Sequence, residues 1–210
     1  MDGLLLDTER VTMDAFVACC APLGIEAERA GAVFLTMVGG SGAQTLGTLQ
    51  AFLPPGSDVV AFELGWSAAV REALVDGVPV RPTVPETLND LSARGCEMVV
   101  VTSTRTARAE EWLERAGLRD HFATVIGGDA VSANKPDPAP YIAGADAIGR
   151  SPDACYAFED SDKGVTSATA AGCRTWQIPD LRPPDQAYPE LGQSIAHTLR
   201  EAIKDSGVCD

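Results

Sequence analysis

The 210-residue chain is short of the residues that build several common sites. Its histidines are His121 and His197 alone, too few for a histidine-rich metal centre. Its 6 cysteines, Cys19, Cys20, Cys96, Cys155, Cys173 and Cys209, include no CxxC pair. They read as buried free thiols in a reducing cytosol, not as a disulfide framework or a zinc site. No apolar run reaches the roughly 18 residues of a membrane span, and no basic segment opens the chain. The expectation is a cytoplasmic protein with no membrane partner. Positive charge is scarce too: 16 Lys+Arg stand against 30 Asp+Glu, a formal net charge of -14. Such a chain repels phosphate backbones, which excludes nucleic acid as a partner. A small anionic substrate needs a local positive device.

What is present is enough for a packed core. The apolar fraction is 45% and the charged fraction 22%, the mix of a globular protein. From Asp7 to about Asp76 the pattern is helical, with four stretches divided by Gly24, Gly39-Gly40-Ser41-Gly42 and Pro54-Pro55-Gly56. No Lys or Arg lies between Arg29 and Arg71. Pro79, Pro82 and Pro85 then mark a linker, and Thr83 with Glu86 reads as a capping box. From Met98 onward short apolar runs alternate with helical stretches. Met98–Val101, Ala123–Ile126, Cys155–Phe158 and Thr175–Ile178 are the expected strands. Strand–helix alternation predicts a parallel sheet with right-handed crossovers.

In an open parallel sheet, ligands bind beyond the carboxyl ends of the strands. The residues at those ends form an ordered chemical set. Thr102, Ser103 and Thr104 follow the first strand and offer hydroxyls and N–H groups to an anion. Lys135, in Lys135-Pro136-Asp137-Pro138, is presented from a loop that proline keeps out of helix. Glu159 and Asp160 are adjacent carboxylates, an arrangement that a hard cation explains; Mg²⁺ favours one or two carboxylates plus phosphate oxygens. Asp2 and Asp7 bracket Leu4-Leu5-Leu6. Together they are the kit for phosphoryl transfer.

Asp2-Gly3-Leu4-Leu5-Leu6-Asp7-Thr8-Glu9, Val101-Thr102-Ser103-Thr104, Lys135-Pro136-Asp137-Pro138 and Glu159-Asp160-Ser161 with Gly164 resemble the four motifs of the haloacid dehalogenase superfamily. The nearest branch holds β-phosphoglucomutases and small-molecule phosphatases. The resemblance implies an α/β, Rossmann-like parallel-sheet core over 1–8 and 79–210, with a four-helix cap inserted over 9–78. It also implies Mg²⁺ as cofactor and a small phosphorylated metabolite as partner, bound by a monomer or weak homodimer. By resemblance, Asp2 is the general acid and then the base, and gives its backbone carbonyl to the metal. Thr102 and Ser103 hold the phosphoryl group, Lys135 neutralises charge, and Glu159 and Asp160 hold Mg²⁺. Gly40 and Ser41, in the cap loop, are the candidate substrate contacts.

The chain departs from the family at one place. The nucleophilic aspartate belongs two positions before the residue matched by Asp2, one position ahead of Met1. The strand carrying it, central in the family's sheet, goes with it. The expectation is a native chain that starts further upstream; the alternative is a catalytically silent binding protein of the same fold. The cap loop has no arginine, which favours a monophosphate-hydrolysing phosphatase over a β-phosphoglucomutase-type transferase.

Overall fold

The structure is a computed structural model and describes residues 1–182 and 186–209. Four helices come first: α1 (Thr8–Cys20), α2 (Ala27–Met37), α3 (Gly42–Phe52) and α4 (Val59–Ala73). They pack around Phe16, which is fully buried. Its ring centroid lies 4.9 Å from that of Trp66, 6.0 Å from Phe34 and 5.8 Å from Phe62. Each aromatic pair adds about 0.5–1.5 kcal/mol to what burial alone contributes. The Trp66 indole N–H donates to Thr12 O at 2.9 Å, which ties α4 to α1 and pairs the indole's one donor.

The remainder alternates as the sequence predicts. In order come α5 (Val84–Ala93), β1 (Val99–Val101), α6 (Thr106–Arg115), β2 (Thr124–Ile126), α7 (Ala139–Ala147), β3 (Tyr156–Glu159), α8 (Asp162–Ala171) and β4 (Arg174–Gln177). Two further elements, β5 (Ser194–Ile195) and α9 (Leu199–Ser206), lie beyond the predicted ones. All ladders are parallel, but they form two separate half-sheets, β1-β2 and β3-β4-β5. Among the described residues, no ladder joins β1 to β3. Both face a cavity of about 500 Å³, lined on one side by Val99 and Val100 and on the other by Ala157 and Phe158.

The first residues do not continue a strand. The amides of Leu4, Leu5 and Leu6 all donate to Met1 O, so Met1–Leu6 form a tight turn. Leu6 then bridges to Val80 in antiparallel sense, and the Asp7 amide donates to Pro79 O at 2.9 Å. These bonds bring the chain before α1 beside the segment that follows α4, so the helical unit leaves and rejoins the α/β part at one place.

Two local expectations need correction. Thr83 precedes α5 but has φ 67° and its side chain makes no cap bond. The capping box sits at α3 instead: Ser41 accepts from the Gln44 amide, and Gln44 Oε1 accepts from the Ser41 amide at 2.9 Å. The cysteines are not all free. Cys96 and Cys209 are joined by a disulfide across a sequence separation of 113, with Cα atoms 6.1 Å apart. That pairing depends on α9 packing against α5, which no local pattern announces. Among the described residues, no helix is long and apolar enough to cross a membrane.

Candidate functional site

Asp2, Gly40, Ser41, Thr102, Ser103, Lys135, Glu159 and Asp160 all line one cavity of about 640 Å³. It lies between the helical unit and the carboxyl ends of β1 and β3. The fold thus collects every sequence-predicted site residue into one cleft.

Each residue is placed by a specific local device. Asp2 lies in the first turn, where Oδ1 accepts from the Thr8 hydroxyl at 2.5 Å and Oδ2 from the Thr104 hydroxyl at 2.9 Å. Two neutral donors orient the carboxylate without adding charge. Thr8 is fully buried at the start of α1, so the clamp is rigid. Gly3 has φ 74°, and a Cβ there would lie 2.6 Å from Asp160 Oδ2. Only glycine lets the first turn pass so close to that carboxylate.

Thr102 follows β1; its hydroxyl accepts from the Thr104 amide at 3.1 Å, which shapes the loop into α6. The Ser103 hydroxyl donates to Gly39 O at 3.2 Å and so links the α/β part to the loop between α2 and α3. Lys163, which the sequence reading did not single out, makes a second link by donating to Thr36 O at 3.2 Å. Partial burial lowers its pKa.

Lys135 is 4% exposed. Its ammonium pairs with Glu159 Oε1 and donates to Val101 O at 3.1 Å. It thereby bridges the carboxyl ends of the two half-sheets. The Tyr141 hydroxyl donates to the same Glu159 oxygen. Tyr141 was not legible as a site residue, because it sits in an α7 sequence that is otherwise small and apolar. Burial raises the Tyr141 pKa far above its ordinary value, with the Glu159 charge adding to it, so the hydroxyl stays a donor. Burial works to raise Glu159 as well. The Lys135 charge, the Met1 amino group and the two hydrogen bonds outweigh it, and Glu159 titrates below its usual range. The first turn of α8 packs on this carboxylate: a Cβ at Gly164 would lie 2.0 Å from Glu159 Oε2.

Asp160 behaves oppositely. Burial, then the Glu159 charge, pushes its pKa up to about 7. It receives no side-chain hydrogen bond among the described residues. A carboxyl group so destabilised as an anion gains from a cation. No cluster of three His, Cys, Asp or Glu side chains at metal-holding distance occurs among the described residues. Asp160, with its neighbour Glu159, fits Mg²⁺, which needs only one or two carboxylates.

The cleft also contains residues that the sequence reading did not assign. Arg105 and Arg108 line it from α6, and Thr12, Glu63 and Trp66 from the helical unit. Arg105 lies 3.6 Å from Asp129, whose Oδ1 accepts from the Thr106 amide and hydroxyl, both at 2.8 Å. Those two bonds hold the Asp129 carboxyl below its ordinary pKa. The helical unit carries no Lys or Arg between Arg29 and Arg71, but the opposite wall supplies two arginines.

The arrangement provides hydroxyl and amide donors, a buried ammonium and two unlike carboxyl environments at one set of strand ends. Comparison with known proteins gives the same picture. Residues 1–178 match the model of the haloacid dehalogenase-like hydrolases. The chain is 31% identical over 175 residues to fructose-1-phosphate phosphatase YqaB of Escherichia coli, covering 82% of this chain and 89% of that protein. It is 30% identical to protein CbbY of Rhodobacter capsulatus, covering 91% and 96%. Among solved structures, β-phosphoglucomutase from Clostridium difficile superposes with a TM-score of 0.78 at 16% identity, covering 97% of this chain and 92% of that one. With the family model matched over most of its length, and the motif residues gathered in one cleft, the chain belongs to the haloacid dehalogenase-like hydrolases.

Proposed function

We propose that the cleft serves Mg²⁺-dependent hydrolysis of a small phosphomonoester, a sugar phosphate or similar compound. The observation that carries this reading is the convergence of Thr102, Ser103, Lys135, Asp2 and Asp160 on one cavity. The names of two relatives point the same way, since YqaB is a fructose-1-phosphate phosphatase and others are phosphoglycolate phosphatases.

In this reading Thr102 and the Ser103 amide hold the phosphoryl oxygens. Lys135 offsets their charge from a buried position, where an ammonium acts through a low dielectric. Asp2, oriented by Thr8 and Thr104, gives a proton to the leaving oxygen and then takes one from water. Asp160, with Glu159 and the Asp2 carbonyl, would hold Mg²⁺, which supplies charge neutralisation on the transferring group. By resemblance to the family, the phosphoryl acceptor is an aspartate two positions before the residue matched by Asp2, and an aspartyl-phosphate needs a carboxylate at that place.

The test is phosphate release from a panel of sugar and short-chain phosphates. It compares the 210-residue chain with one carrying an apolar strand that ends in aspartate ahead of Met1. Release by the longer chain alone, abolished by EDTA, is the expected result. Release that survives EDTA unchanged overturns the metal dependence. Silence of both chains overturns the enzyme reading and leaves a binding protein.

A second reading rests on Arg105 and Arg108. Both line the cleft, and both could hold a second anionic group that the cap loop cannot. CbbY of Rhodobacter sphaeroides, a structural neighbour at TM-score 0.78, was solved with xylulose-1,5-bisphosphate. A phosphoryl transferase or phosphatase that takes a bisphosphate is therefore the alternative. Arg105→Ala separates the two readings. It raises KM at least tenfold for a bisphosphate, the cost of roughly 1.4 kcal/mol of lost anion binding, and leaves a neutral-ended monophosphate unaffected.

A further inference from the structure

The two segments that join the helical unit to the α/β part meet at one carboxylate. Arg10, in the first turn of α1, lies 3.4 Å from Asp180 Oδ1, and Arg81, in the segment returning from α4, pairs with the same oxygen. Asp180 follows β4, whose Gln177 stands in register with Glu159 of β3. It therefore lies at the carboxyl edge of the sheet, the side on which ligands bind. Its side chain is 3% exposed. One oxygen takes both guanidiniums, whereas Oδ2 is buried and has no hydrogen-bond partner among the described residues.

That orphan oxygen faces the carboxylate assigned to the cation. Asp160 Oδ2 lies 2.6 Å, and Asp180 Oδ2 3.4 Å, from the point where a Cβ on Gly3 would sit. The two oxygens thus flank one spot beside the first turn. Glu9 feels the same crowding: burial first, then the charges of Asp2, Asp160 and Asp180, hold its carboxyl well above its ordinary pKa. A buried carboxylate oxygen without a donor is rare, because it forfeits the hydrogen bonds it had in water. Since the described residues include no group of three metal-holding side chains, a further carboxylate here acts through water.

We propose that Asp180 is an outer carboxylate of the cation site. Its Oδ2 accepts a hydrogen bond from a water on the Mg²⁺ held at Asp160, while its Oδ1 holds both joining segments. This rests on the Mg²⁺ reading above and adds a residue to it. Mg²⁺ dehydrates reluctantly and keeps several waters, which need acceptors beside the direct ligands. Cation binding and the seating of the helical unit are then linked through one side chain. A clamp for two arginines accounts for Oδ1 alone and gives Oδ2 no reason to be buried.

The experiment uses the full 210-residue chain with Mn²⁺ as the probe, followed by electron paramagnetic resonance of the free ion and by competition with Mg²⁺. Asp180→Asn is expected to weaken Mn²⁺ binding about tenfold, the usual effect of losing an outer-shell partner. Asp160→Asn weakens it at least as much. Arg81→Gln opens the clamp but keeps the carboxylate, and weakens it less than Asp180→Asn does. An equal loss in Arg81→Gln and Asp180→Asn marks a general loosening of this corner and overturns the proposal. Amide exchange gives a second reading. The Asp7 amide donates to Pro79 O and the Arg81 amide to Leu5 O, both at 2.9 Å, so both report on the joining segments. They are expected to exchange severalfold more slowly in Mg²⁺ than in EDTA. Equal rates overturn the proposal, and this arm decides the matter if Asp180→Asn does not fold. Loss of Mn²⁺ in Asp160→Asn with none in Asp180→Asn overturns the proposal and spares the Mg²⁺ reading. No saturable Mn²⁺ binding, or no loss in either variant, removes both.

Discussion

Lys135, Glu159 and Tyr141 form a buried polar knot whose members depend on one another. Removing one partner of a buried ion pair leaves an uncompensated charge and costs about 3–5 kcal/mol. Lys135→Ala is therefore expected to lower unfolding stability by that order, measured by urea titration at pH 7. Tyr141→Phe removes a single donor and costs about 1–3 kcal/mol in the same assay. Asp160 sets a pH dependence. Its pKa is raised from 3.8 to about 7 on folding, so between those values the folded chain binds a proton that the unfolded chain does not. Its contribution is most favourable below pH 3.8 and is lost as pH rises toward about 7. In EDTA, the stability of the natural chain relative to Asp160→Asn is expected to decline across that window, and thermal melts at stepped pH check it. A flat difference refutes the assignment. The free thiols are quiet for a related reason. Burial, with a neighbouring cysteine adding to it, raises both Cys20 and Cys173 to about 11. At pH 8 only about one in a thousand is a thiolate, so both should resist iodoacetamide in the native state.

At the scale of elements, the sequence was most informative where two periodicities meet. Each strand–loop–helix passage carried its chemistry at the strand's end, and the cleft has Thr102, Lys135, Glu159 and Asp160 together. Boundaries shifted by one or two residues, as at β3, which includes Glu159. The misses share a cause: long-range packing overrides local pattern. Thr83 and Glu86 carry a capping-box spacing, yet the chain must turn there through φ 67° to bring Val84 into the core. Ser41 was read as a substrate contact in a glycine loop, yet with Gln44 it also caps the start of α3 at the lip of the cleft. Ser41→Ala is expected to cost about 1 kcal/mol, the usual worth of such a cap, read from the thermal midpoint. The helix α9 escaped notice because a proline-rich stretch before it ends the strand–helix rhythm. Its Leu199 and Ala202 are nevertheless buried.

The whole molecule carries -14 yet concentrates positive charge where a phosphate would sit. Lys135 is buried there, and Arg105 and Arg108 stand on one wall. Net charge bears on an extended phosphate backbone and does not speak to a small anion, because the field in a cleft follows local groups. The motif residues line one cavity, but the motifs could not reveal the Cys96–Cys209 bond, whose partners lie at opposite ends of the α/β part.

That disulfide divides the polypeptide into two kinds of territory. Residues 97–208 lie within a covalent loop, whereas the helical unit before Cys96 hangs from it as a tail. Protease cuts should then sort by location. A single cut at exposed Pro54–Gly56 frees an N-terminal fragment in non-reducing detergent gels. A single cut at exposed Gln186–Tyr188 releases nothing until a reductant is added. Limited digestion thereby turns one sulfur–sulfur bond into a map of which half of the chain can be severed without coming apart.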